Sequence, residues 1–139
     1  MTRSNILLPM LMLSGWTIGI MLVIPLQRFR AGKSGEVKLD DFKFGESSNI
    51  PLQASTANRN YMNLLEAPIL FYILCLTLYA ANLVDSLSLI LAWVYVGLRM
   101  LHSLVHLTFN VVAVRALLFG ASGLVLIAIW LRLSLQVLR

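Results

Sequence analysis

One cysteine, Cys75, and six acidic residues are all that the 139-residue chain contains of either kind. A lone cysteine excludes an internal disulfide, and its place within an apolar run favours packing over thiol reactivity. Charged residues make up 12% of the chain, about half the share of a soluble domain. That scarcity excludes an ordinary solvated surface. Charge is missing altogether from residues 4–27, 67–84, 86–98 and 116–131. The third of these runs continues in apolar fashion past Arg99 to about Thr108. A spanning helix needs about 20 mostly apolar residues.

The runs predict an all-α integral membrane protein with helices near 5–27, 60–83, 86–107 and 110–132 in a single domain, 1–139. The first run is too long for a signal peptide and no small-residue cleavage site follows it, so it is expected to remain as a span. Short second and third connections imply an antiparallel four-helix transmembrane bundle, with Asn110 expected to N-cap the last helix. Gly15 and Gly19, and Gly120 and Gly123, suggest close helix contacts. The tyrosines and tryptophans read as core or interfacial residues. Polar residues inside such short spans point to a homo-oligomer.

The basic excess is not a nucleic-acid footprint, because it follows the membrane sides. Arg28, Arg30, Lys33, Lys38, Lys43 and Arg59 surround the long 28–59 loop, and Arg115 lies on the same side; Arg3, Arg132 and Arg139 lie opposite. The positive-inside rule therefore puts the 28–59 loop in the cytoplasm.

Against this apolar background, Arg99, His102 and His106 share one helix face, at spacings of three and four. A charged side chain at mid-membrane costs about 2.5–3.5 kcal/mol on insertion scales and marks a candidate site. With a rise of about 1.5 Å per residue, Arg99 lies about 20 Å into its span and His106 about 30 Å in. Arg59, Asn63 and Glu66 form a similar stripe on the second span, with Glu66 near the level of Arg99. Arg28 ends the first span and Arg115 opens the fourth at the same side. The structural alternatives are snorkelling arginines, solvated or locally satisfied histidines, and a Glu66–Arg99 ion pair that only fixes register. The functional alternative is a cleft for a zwitterion with excess negative charge, which arginine holds bidentately.

Arg59-x-x-x-Asn63-x-x-Glu66-x-Pro68, then Arg99-x-x-His102 and His106, with Arg115 beyond, resemble the signatures of the MAPEG family (membrane-associated proteins in eicosanoid and glutathione metabolism). The order, the four-helix layout and the long first loop are similar too, over nearly the whole chain. Small size, the short second loop and Asn110 are most similar to bacterial members, which implies the inner membrane. The resemblance implies a homotrimer with glutathione as co-substrate between subunits. It implies Arg28, Arg59, Asn63, Glu66, Arg99, His102 and His106 as glutathione-binding residues and Arg115 as the thiolate stabiliser. Its partners would be membrane lipids and a hydrophobic small-molecule substrate, with no metal and no nucleic acid. The chain departs from better-known members at His106, where they have tyrosine, at Ala116 and Met62, and in the single residue between Glu66 and Pro68.

The leading expectation is a membrane glutathione transferase or peroxidase acting on lipophilic electrophiles. A thiolate is the nucleophile, and a neighbouring guanidinium favours it. The alternatives are a non-catalytic lipid-binding or scaffold protein of the same fold and a small exporter with Glu66 as proton carrier. A histidine-bound metal or haem comes last, because no acidic or thiol ligand accompanies His102 and His106 on their helix.

Overall fold

A computed structural model describes residues 3–33 and 52–138 of the chain, with the side chains of 52–54 excepted. A 3-10 turn at Arg3–Ile6 leads into α1 (Leu7–Lys33); α2 (Leu52–Glu66), α3 (Pro68–Ala80), α4 (Ser86–Leu107) and α5 (Val112–Val137) follow. Among the described residues every element is helical. Four helical stretches are long and apolar enough to cross a membrane: Arg3–Lys33, Ser55–Ala80, Ser86–Leu107 and Val112–Val137. The protein is a multi-pass membrane protein.

The helix limits differ from the sequence reading in physically simple ways. The first helix runs on to Lys33, so Arg28 lies within it and does not end it. Pro25 sits inside that helix, as transmembrane helices tolerate. The second span starts at Leu52 and is interrupted at Ala67, so that α2 and α3 meet at a joint. Pro68 is the cause: it has no N–H to give and its ring crowds the preceding turn. The long loop is shortened accordingly, with Arg28–Lys33 and Leu52–Arg59 helical; the remainder, 34–51, lies outside the described residues.

Each turn has its own chemistry. After α3 the chain closes in a Schellman motif: Leu83 N–H donates to the Leu78 carbonyl at 3.0 Å and Asn82 N–H to Tyr79 at 3.3 Å. Asn82 takes the left-handed φ of 59° that this ending requires. Asp85 then caps α4, accepting from the Ser88 backbone N–H at 2.8 Å. Asn110 does not cap the last helix as expected. The N-cap is Val111, without a side-chain bond. Asn110 instead adopts a φ of 49°, and its backbone N–H donates to the Val105 carbonyl at 2.8 Å.

Named contacts make the bundle antiparallel. Asp85 bonds Arg132 at one end of α4 and α5, and His102 meets Arg115 at the other. Arg3 bonds Asn82, joining the start of α1 to the end of α3. Between them lies a core of Leu13, Leu64, Phe71, Leu78, Tyr95 and Ile129. Phe71 and Tyr95 stack with ring centroids 4.5 Å apart. Cys75 is buried and free in this core. Many leucines and isoleucines of α1 and α5 face outward, where lipid rather than water is the solvent. A Cβ added at Gly15, Gly19, Gly120 or Gly123 would meet nothing within 4 Å. The close approach expected at these glycines is therefore not made among the described residues.

Candidate functional site

The buried face of α4 consists of Ser88, Ala92, Tyr95, Val96, Arg99, His102, Ser103 and His106. These recur at helical spacing, so burying the apolar half of the face carries the polar half inside as well. Arg99 is 1% exposed, His102 4% and His106 2%. The stripe therefore faces protein, and neither histidine is solvated.

Arg99 Nη2 donates to the backbone carbonyl of Asn63 at 2.6 Å. Its guanidinium lies over the Phe119 ring, 5.0 Å from the centroid, a favourable placement for a cation. Its Nε and Nη1 are buried with no hydrogen-bond partner among the described residues. The expected alternative of a buried Glu66–Arg99 pair is not formed: Arg99 turns to a carbonyl, and Glu66 is exposed.

His102 Nδ1 lies 3.0 Å from the carbonyl oxygen of Arg115. A carbonyl only accepts, so Nδ1 carries the proton. In the neutral ring Nε2 is then a bare acceptor, and it too is buried without a partner among the described residues. His106 stands edge-on to His102, with ring centroids 5.9 Å apart, and its Nδ1 is also unsatisfied. Arg115, in the first turn of α5, donates from Nη1 to Asn110 Oδ1 at 2.7 Å. Its Nε remains buried and unpaired among the described residues.

The second polar stripe lies differently. The buried face of α2 is Ala57, Asn60 and Leu64. Arg59, Asn63 and Glu66 sit beside it: Arg59 and Glu66 are exposed and Asn63 half-buried. Arg28 is half-buried on α1. The chain thus gathers Arg99, His102, His106 and Arg115 with the Asn63 backbone, and carries Arg59 and Glu66 on its flank.

Sequence reasoning missed one centre. Ser103 Oγ accepts from Asn60 Nδ2 at 2.7 Å and from Trp16 Nε1 at 3.0 Å. It fastens α1, α2 and α4 directly beside His102. Asn60 and Ser103 are fully buried. The signal for it was Asn60 itself, a polar residue three from Ala57 and four from Leu64 on an apolar face.

An apolar groove of about 330 Å³ opens between α1 and the α2–α3 joint. Thr17, Tyr61, Leu64, Leu65 and Tyr72 are among its walls. Two tyrosines read as core or interfacial therefore line a groove.

The model of the MAPEG family matches residues 6–135 of the chain. The chain belongs to the MAPEG family. Membership fits membrane-associated glutathione and eicosanoid metabolism. No curated protein and no solved structure matches this MAPEG protein.

Proposed function

We propose that this MAPEG protein is a membrane-embedded glutathione-dependent transferase or peroxidase acting on lipophilic electrophiles. The observation that carries the reading is the buried Arg99 guanidinium with two N–H edges unanswered among the described residues. Leaving a charge unpaired in a low-dielectric interior is strongly destabilising. An anionic ligand relieves it. In this reading Arg115 stabilises the thiolate, through an Nε that is buried and unpaired among the described residues. Arg28, Arg59, Asn63, Arg99, His102 and His106 hold the glutathione peptide, and Glu66 takes its ammonium group. The nucleophilic thiolate forms the C–S bond, and the electrophile's displaced electron pair leaves with its leaving group or takes up a proton. The groove beside Leu64 and Leu65 suits an electrophile that arrives from the bilayer.

Arg59 and Glu66 lie on the outside of a single protomer. A homotrimer that brings these flanks against neighbouring subunits would complete the site. The same reading puts the connection between α1 and α2 on the cytoplasmic side of a bacterial inner-membrane protein.

The test is turnover of glutathione with a simple aromatic or conjugated electrophile by the detergent-purified protein, with mass measurement of the oligomer. A conjugate formed by a trimer supports the reading. The absence of both binding and turnover contradicts it.

One observation favours a second reading. Arg115 Nη1 is already committed to Asn110 Oδ1. A site with that guanidinium held back would bind an anionic lipid head group without turning over any thiol. Lipid-dependent stabilisation with no glutathione binding is its signature.

A further inference from the structure

The end of the bundle remote from the histidines carries a second polar group, which glutathione chemistry does not use. Asp85 caps α4 there and is bonded by Arg132 of α5, with Arg132 Nε 3.4 Å from Oδ1. Gln136, one turn further along α5, brings its Nε2 to 3.5 Å from Asp85 Oδ2. Its Oε1 is buried and has no donor among the described residues. The charged pair is only partly covered, with the side chains of Arg132 and Asp85 32% and 36% exposed.

A groove of about 570 Å³ runs between α4 and α5 from this group. Leu87, Leu91, Ala128 and Leu131 wall it, and Arg132 and Gln136 stand at its mouth. Leu91 lies about 9 Å along the helix from Asp85, and Ala128 about 6 Å from Arg132. The walls therefore descend from the helix ends, at the level of lipid head groups, into the hydrocarbon layer.

We propose that this groove holds a phospholipid whose head group ends in a primary ammonium. One acyl chain lies between the leucines and Ala128. The phosphate meets Arg132, and the ammonium donates to Gln136 Oε1 and to the Asp85 carboxylate. The charges decide the class. Asp85 and Arg132 cancel, so a head group with both signs is matched, whereas a purely anionic one sets an unanswered negative charge beside Asp85. A quaternary ammonium has no N–H to give to Gln136 Oε1. A second copy of the chain is the other candidate occupant. The lipid is favoured because an exposed ion pair sits at the mouth with apolar walls below it, the order of groups in a phospholipid.

The experiment is native mass spectrometry of the whole protein released from detergent. It is equilibrated with phosphatidylethanolamine, phosphatidylcholine or phosphatidylglycerol of identical acyl chains. A hydrogen bond from a charged donor predicts roughly tenfold preference for the ethanolamine lipid over the choline lipid. Gln136→Leu, which leaves the ion pair in place, lowers that ratio several-fold, the Asp85 contact remaining. Ala128→Phe fills the groove and removes bound lipid of every head group. Equal binding of ethanolamine and choline lipids by the unaltered protein overturns the proposal. So does undiminished lipid binding by a folded Ala128→Phe protein, or a change in its oligomeric state with lipid binding intact, which marks the groove as a contact between copies. If Ala128→Phe fails to fold, the Gln136→Leu ratio decides alone: an unchanged preference overturns the head-group assignment.

Discussion

His102 donates from Nδ1 to the backbone carbonyl of Arg115 across the α4–α5 turn, at 3.0 Å. The bond fixes the ring's proton on that nitrogen and turns Nε2 inward as an acceptor. Within one buried group, Arg99 thus offers donors and His102 offers an acceptor. The two nitrogens of His102 can be tested separately. Asparagine places an N–H near the Nδ1 position and has nothing at Nε2; phenylalanine fills the volume and bonds neither way. His102→Asn is expected to keep thermal stability close to that of the parent. His102→Phe removes the bond to the Arg115 carbonyl, which keeps its partner within α5, and loses about 0.5–1.5 kcal/mol. Thermal unfolding in one detergent compares them.

Ser103 is a structural hub. Its hydroxyl answers donors from Trp16 and Asn60. Ser103→Ala leaves two buried N–H groups unsatisfied and is expected to cost about 1–3 kcal/mol for each left without water. The Asn60→Leu, Ser103→Ala pair removes both polar ends of one bond, so it should cost less than the sum of the two single changes. A double-mutant cycle on melting reads this coupling.

Asp85 supplies the pH dependence that lies outside the membrane spans. The Arg132 hydrogen bond, opposed by burial and aided by Ser88, holds its carboxyl down at about 2. A folded-state value below the unfolded one of about 3.9 means stability that is present above that pH. It fades as pH falls from about 4 through about 2. Because the pair is partly exposed, its share is no more than about 1 kcal/mol. Asp85→Asn is expected to flatten this acid limb and to leave melting above about pH 5 lower by a similar amount, the cap bond to Ser88 being kept by the amide oxygen.

The spans were legible because lipid demands uncharged length, which a sequence states directly. The joint at Pro68 was not: the apolar run passes through it, and a proline in a membrane helix bends, shortens or does neither according to its neighbours. Asn110 looked like a cap from its place before a helix, yet its amide oxygen serves Arg115, a choice made by tertiary geometry. Arg99, His102 and His106 on α4 were legible, since lipid penalises a charge and two histidines on one helix face unless protein covers them, whereas Ser103 beside them was not. On α2 the same rule gave a stripe about one residue off the buried face, because Arg59, Asn63 and Glu66 outnumber Asn60 in any polarity count. The Trp16–Ser103–Asn60 contacts join three helices, and spacing within one helix carries no record of them.

Arg99 separates structure from function. In a protein that uses it only for packing, replacing a buried guanidinium with two N–H edges unanswered among the described residues by an apolar chain of similar length is neutral or stabilising. In a glutathione site the same change removes charged hydrogen bonds. Arg99→Met is expected to melt no lower than the parent and to bind glutathione about 10- to 150-fold more weakly. Calorimetric titration alongside melting checks both halves.

Thiolate ultraviolet absorbance of glutathione bound to the detergent-purified protein at neutral pH, with Arg115→Ala alongside, is the most direct measurement. The account predicts a thiolate band with the parent protein and its loss in Arg115→Ala, while glutathione still binds. Glutathione bound as the thiol by both proteins, or by neither, contradicts it.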